Sequence, residues 1–173
     1  MAKAHNDLDR EFLAMYDELA DPLFRHCFYK ISDREKALDL VQETFARMWE
    51  YLSSGKKVEH LKSFIYRIAN NMIIDEYRKK KSQSLDVLAE DGFDPEEESA
   101  VSAIVTSSEA KIAVSGIQRL PEPYRQIMEL RYIDGLSITE IAGVIRESEN
   151  TVSVRITRAT QKLRDILKTH HGA

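Results

Sequence analysis

The stretch "SITEIAGVIRESENTVSVRITRATQKLRDIL", Ser137 to Leu167, decides the fold of the segment that carries it. Ser137 and Glu140 stand at capping-box spacing, where each side chain can satisfy an amide otherwise orphaned at a helix start. Ile138, Ile141, Ala142 and Ile145 then recur at helical spacing, which predicts a short helix with one buried face. A turn is expected at Arg146, Glu147 and Ser148. From about Glu149 a longer helix should bury Val152, Ile156, Ala159, Leu163 and Ile166. Short helix, tight turn, longer helix is the helix-turn-helix pattern.

The remaining surfaces of that last helix carry Asn150, Thr151, Ser153, Val154, Arg155, Arg158 and Lys162. Residues 149–168 hold five basic side chains against two acidic ones. A helix that reads DNA needs small or polar residues near its N-terminus to enter the major groove, with Arg or Lys to hold phosphates. An ordinary solvated helix would show the charge alone. The capped helix and turn in front of it favour DNA binding. Upstream, "LPEPYRQIMELRYIDG" predicts a further helix, opened by prolines and closed at Asp134-Gly135.

The other half of the chain is helical in pattern too, and no alternating strand pattern competes. The first helix should start after Asn6 or Asp7 and bury Leu8, Phe12, Met15 and Leu19. Pro22 is expected to kink it or to start a second segment carrying Phe24, Cys27, Phe28 and Ile31. Ser32 and Glu35 have capping-box spacing before a helix that buries Leu38, Val41, Phe45, Met48, Trp49 and Leu52, with Gly55 placed to stop it. Asp39, Gln42 and Glu43 share its polar side.

Next comes "SFIYRIANNMIIDEYRKKK", Ser63 to Lys81. Leu61, Phe64, Ile65, Ile68, Met72, Ile73 and Tyr77 form one apolar face. Lys62, Arg67, Asn70, Asn71 and Arg78 lie mostly off it. Rings and amides suit unstacked bases, and the Arg78–Lys81 run suits phosphates. From periodicity alone, however, Phe64 and Tyr77 read as core residues and the basic run as a favourable helix end. Periodicity is lost between residues 82 and 94. Asp94 and Pro95 then look like a new helix start, with a break somewhere before Leu120.

Composition bounds the function. The 173 residues, 43% hydrophobic and 31% charged, suffice for one or two compact domains. No apolar run approaches a membrane span, and "MAKAHNDLDREF" is too acidic and polar for a signal peptide. Cys27 is the only cysteine, so no internal disulfide can form; a reducing cytoplasm suits the chain. The net charge of −4 hides an uneven distribution. Residues 1–81 carry 15 Lys+Arg against 14 Asp+Glu, and residues 109–173 carry 10 against 8. Residues 82–108 carry no basic residue and 7 acidic ones. The acidity therefore belongs to a connector, and overall charge misleads about nucleic acid. No histidine sits at ligand spacing beside the Asp39–Glu43 carboxylates, and no phosphate loop, nucleophile elbow or CxxC occurs. Neither a metal nor another cofactor nor an enzyme is expected.

Three stretches in order, "DREKALDLVQETFARMW", "SFIYRIANNMIIDEYRKKK" and "LPEPYRQIMELRYIDGLSITEIAGVIRESENTVSVRITRATQKLRDIL", resemble the successive blocks of the extracytoplasmic-function sigma factors of bacterial RNA polymerase. The resemblance covers nearly the whole chain. It implies an all-α fold of two small helical domains joined by an acidic flexible linker, the C-terminal one a helix-turn-helix. Residues 1–82 would bind core polymerase and open the minus-ten DNA, 83–108 would be the linker, and 109–173 would read the minus-thirty-five element.

By the same resemblance, Asp39, Gln42 and Glu43 match the face that grips the clamp helices of the polymerase. Asn71 matches a position beside the pocket for a flipped non-template base, and Phe64 an aromatic at the duplex fork. Arg67, Arg78, Lys79 and Lys80 would contact backbone. Asn150, Thr151, Ser153, Arg155 and Arg158 would face the upstream element. The implied partners are core RNA polymerase, promoter DNA and an anti-sigma factor, with no membrane insertion.

The chain departs from the family at the turn, where Arg146-Glu147 replaces a usual glycine and apolar residue. A non-glycine residue at positive φ costs about 1 kcal/mol. It departs again at Ser153 and Val154, where relatives often place a basic and a small polar residue, which puts the family's common upstream preference in question. Two other readings stay open: a sigma-like decoy for an anti-sigma factor, and a helix-turn-helix regulator with an N-terminal effector domain. A decoy would need neither Asn71 nor the basic run.

Overall fold

The computed structural model describes the backbone of residues 2–84 and 107–171 and the side chains of residues 7–80 and 107–169. Every regular element among them is a helix: α1 Ala2–Ile31, α2 Arg34–Ser53, α3 Leu61–Ser84, α4 Ser108–Gln118, α5 Tyr124–Tyr132, α6 Ile138–Ile145 and α7 Glu149–His171. They group into two compact units, α1 to α3 and α4 to α7.

In the first unit α1 contributes Met15, Leu19, Leu23, Cys27 and Ile31, all buried and all four residues apart. That spacing stacks side chains along one stripe. The stripe packs against α2 and α3, which bury Val41, Phe45 and Met48, and Ile65, Tyr66, Met72 and Ile73. Phe12 meets Phe45 and Trp49 edge-on, at centroid distances of 6.1 and 4.9 Å.

Several expectations are corrected here. Helix α1 begins at Ala2 and runs unbroken through Pro22. An internal proline costs about 3 kcal/mol. Leu19 and Leu23 on either side of it are buried, and packing of the stripe offsets that cost. The cap of α2 is Asp33, whose side chain accepts from the Lys36 amide at 3.1 Å. Ser32 instead takes a left-handed backbone at φ 56° and ends the turn out of α1. Leu38 is 42% exposed and Tyr77 47% exposed. Both are therefore exposed rather than core residues, although the Tyr77 hydroxyl still bonds the Lys30 carbonyl of α1. Helix α3 continues through residues 82–84, where periodicity is already lost. Gly55 does follow the end of α2, at φ 79° with its N–H bonded to the Leu52 carbonyl.

In the second unit, Ile117, Leu120, Met128 and Ala159 form a buried cluster, with Tyr124, Leu163 and Ile166 packed against it. Gly116 lets α4 approach α7 closely: a Cβ there would lie 2.7 Å from a Leu163 methyl. The capping box of α6 is complete. The Glu140 amide donates to Ser137 Oγ at 3.1 Å, and the Ser137 amide to Glu140 Oε2 at 2.7 Å. Val144 joins Ile141 and Ala142 among the buried residues of α6, whereas Ile138 and Ile145 are half-buried. The break between α4 and α5 runs over residues 119–123 and so includes Leu120 rather than preceding it, and α5 closes at Tyr132, ahead of Gly135 at φ 70°. The helix start expected at Asp94-Pro95, and most of the expected linker, lie outside the described residues.

Candidate functional site

Three surfaces hold the residues singled out from sequence. On α2, Asp39, Gln42 and Glu43 are all exposed and, with Ala46, line one shallow open depression of about 460 Å³. Glu43 accepts from Arg47 Nε at 2.8 Å, both side chains being 51% exposed. A pair this wet contributes little to stability, so a partner can displace it at low cost.

On α3, helical spacing aligns Phe64, Arg67, Asn71 and Arg78 at i, i+3, i+7 and i+14, which places them on one stripe about 21 Å long. The Phe64 ring is half-buried, its centroid 4.6 Å from that of Tyr51, and the Arg67 guanidinium lies over the Phe64 ring at 5.0 Å from its centroid, a cation–π contact. Asn71 is exposed. Its neighbour Asn70 corrects the sequence reading: it is buried, with Oδ1 3.3 Å from His26 Nε2. His26 in turn meets Tyr66 edge-on at 5.1 Å. The paired asparagines therefore divide, one inside and one outside.

The end of α3 is tied down before the basic run begins. The Tyr77 hydroxyl donates to the Lys30 carbonyl, and Glu76 pairs with Lys36 at 3.1 Å. Arg78 lies 3.5 Å from Asp75 and Lys79 3.9 Å from Glu76, both loose i,i+3 pairs at the surface, and Lys80 is exposed.

The third surface is α6, the turn and α7. Arg146 adopts the left-handed region at φ 58°, ψ 45°, and the Glu147 amide donates back to the Ala142 carbonyl at 3.1 Å. The turn thus keeps the tight geometry despite lacking glycine. Ser148 caps α7 by accepting from the Thr151 amide at 3.1 Å, and its hydroxyl bonds that of Thr151 at 2.9 Å. At 100° per residue, Thr151, Arg155, Arg158 and Lys162 share one flank of α7, beside the buried stripe of Val152 and Ala159. Asn150 and the exposed Val154 crown the outward side. Ser153 falls on the opposite flank, where its hydroxyl donates to the Glu149 carbonyl at 2.9 Å. The structure therefore brings Thr151, Arg155 and Arg158 together and separates Ser153 from them.

Sequence reasoning missed Glu147, whose Oε1 lies 3.0 Å from Arg155 Nη2. A separation of eight residues across a turn is no recognised pairing interval, so nothing in the pattern could signal it. Among the described residues no group of three or more His, Cys, Asp or Glu could hold a metal ion, and no helix is long and apolar enough to cross a membrane.

Two helical units, the second with a capped helix-turn-helix, agree with comparisons to known proteins. Residues 15–83 match the family model of sigma-70 region 2, and residues 113–163 that of sigma-70 region 4. The RNA polymerase sigma factor SigZ of Bacillus subtilis is 31% identical over 157 residues, spanning 89% of this chain and 85% of SigZ. The ECF RNA polymerase sigma factor SigW of the same organism is 29% identical over 171 residues, spanning 91% of this chain and 89% of SigW. Among solved structures, CnrH in complex with the cytosolic domain of CnrY has a TM-score of 0.66 at 23% identity, covering 97% of this chain and 94% of CnrH. The sigma factor RpoE in complex with the anti-sigma factor NepR, from Bartonella quintana, has a TM-score of 0.62 at 24% identity, covering 94% and 97%. These two likenesses establish the shared fold. The chain belongs to the extracytoplasmic-function sigma factors of RNA polymerase. It is a non-enzymatic transcription initiation factor.

Proposed function

We propose that the three surfaces divide the work of initiation. Residues 1–82 bind core polymerase and open the DNA, residues 83–108 connect, and residues 109–173 read the upstream element. Asp39, Gln42 and Glu43 grip the polymerase. Phe64, Arg67 and Asn71 meet the melting segment, while Arg78, Lys79 and Lys80 hold its phosphates. Unstacking a base costs a few kcal/mol, recovered when the extruded base finds matched hydrogen bonds. An asparagine amide can both donate and accept, which suits a base edge. Helix α7 reads the major groove with Thr151, Arg155 and Arg158, assisted by Asn150 and by Ser153 on its far flank. The observation that carries this reading is the α3 stripe, where an exposed asparagine stands between an aromatic–arginine pair and a basic run.

The protein acts in the cytoplasm, where its polymerase is, and is held inactive by an anti-sigma factor. The structural neighbour RpoE was solved with such a factor, NepR, which supports that reading. The test is run-off transcription with purified core polymerase on a duplex pool randomised across the upstream and melting segments. Transcripts from a selected subset that depend on this protein are expected. Protein that binds core polymerase yet yields no more transcript than core alone would overturn the proposal.

A further inference from the structure

The turn residue Glu147 carries chemistry that the reading of α7 leaves unused. Its amide is pinned to Ala142 at 3.1 Å, directly after the left-handed Arg146, and it directly precedes Ser148, the cap of α7. The carboxylate therefore starts from a fixed backbone and reaches Arg155 Nη2 at 3.0 Å, on the flank shared with Thr151 and Arg158. The side chains are 28% exposed at Arg155 and 39% at Glu147, so the pair contributes little to stability. Its consequence is directional.

Arginine has five N–H donors in a rigid fork, and Glu147 occupies part of one edge. The remaining donors have two kinds of target on duplex DNA. A phosphate would bring a second anion to a guanidinium already beside a carboxylate, and the two anions repel. The major-groove edge of guanine offers two neutral acceptors, O6 and N7, and meets no such repulsion. We propose that Glu147 is a specificity-determining positioning residue: it steers Arg155 away from the phosphate backbone and onto a guanine in the upstream element. This rests on the reading of α7 as the DNA-facing helix. It also gives the Arg146-Glu147 turn a role, since an apolar residue in place of Glu147 could not hold Arg155.

The test uses holoenzyme assembled from the full chain and core polymerase, with a duplex pool randomised over the upstream segment and the bound fraction sequenced at several salt concentrations. Wild type should enrich guanine at one position, and Arg155→Ala should lose that enrichment. Glu147→Ala and the near-isosteric Glu147→Gln should each lower it by about tenfold. Both should strengthen binding to unselected DNA and steepen the salt dependence by roughly one counterion, because a released arginine reaches phosphate. In an Arg155→Ala background neither Glu147 change should alter base preference, an outcome that a merely structural role would not produce. Unchanged guanine enrichment in Glu147→Ala, or a Glu147 change that still alters base preference with Arg155 already removed, would overturn the inference while leaving α7 as reader. If Arg155→Ala itself changed neither preference nor affinity, both the reading of this flank and the inference would fall.

Discussion

Helices α3 and α7 are both long, amphipathic and rich in basic residues, yet they use their polar side chains differently. Helix α3 packs against both α1 and α2, and its neighbours engage much of its polar surface: Asn70 goes to His26, Glu76 to Lys36 and Tyr77 to the Lys30 carbonyl. Helix α7 lies against the shorter α4, α5 and α6, and three of its hydroxyls turn back on its own backbone, that of Thr169 to Asp165 among them. Ser153 donates to Glu149 and Thr157 to Ser153. Its arginines stay at the surface, with Arg155 held by a residue from the turn. On α3, Asn71 stands exposed between the buried Asn70 and Met72. On α7, Arg158 and Lys162 are exposed along one flank.

The largest effect is expected on neither helix but on α2, at the surface proposed to bind polymerase. Replacing Asp39 and Glu43 together by Arg reverses two charges on α2, and like-charge contact at an interface costs several kcal/mol. Co-purification with core polymerase should be lost while the helical circular-dichroism signal is kept. Retained co-purification would remove α2 from the interface.

The contrast between buried and exposed positions on α3 is sharpened by its adjacent asparagines. Asn71→Ala should leave thermal stability unchanged but reduce permanganate reactivity of the melted segment on duplex promoter by about tenfold or more. Activity should largely recover on a template already mismatched there. Asn70→Ala should do the opposite: it removes a buried partner of His26 and should cost about 1–3 kcal/mol in stability. Equal defects of Asn71→Ala on both templates would place it with the folding residues.

On α7, Arg158→Ala should weaken holoenzyme binding to upstream duplex evenly across sequences and reduce the salt slope by about one. A change confined to one base position would instead make Arg158 a second base reader.

The smallest effect is expected at Gly116, where α4 meets the back of α7. Gly116→Ala puts a methyl within 2.7 Å of one Leu163 methyl and 3.1 Å of one on Leu167, both ends of flexible side chains. Overpacking of about 1–3 kcal/mol, less the gain of about 1 kcal/mol in helix propensity, predicts a net loss of about 1 kcal/mol, read from thermal unfolding. Stabilisation instead would mean that α4 and α7 have room to part.

Sequence alone determined the helices whose signals are local. The capping box at Ser137 and Glu140 and the stop at Gly55 depend on residues a few positions apart and appear as expected, and of the expected α7 stripe Val152 and Ala159 are buried while Ile156, Leu163 and Ile166 are half-buried. Helical pitch also aligns Phe64 with Arg67, Asn71 and Arg78, although the sequence reading divided these residues between the apolar face and the rest of α3. Tertiary structure decided what depends on distant partners. Asn70 entered the core because His26, 44 residues away, meets it there. Helix α1 continues past Pro22 because the buried stripe on either side outweighs one missing hydrogen bond. Arg155 acquired Glu147 because a left-handed turn folds the chain back on itself. Periodicity records which face of a helix is apolar; it carries no record of which neighbour will meet the edge of that face, and those edges hold the residues that the structure alone could assign.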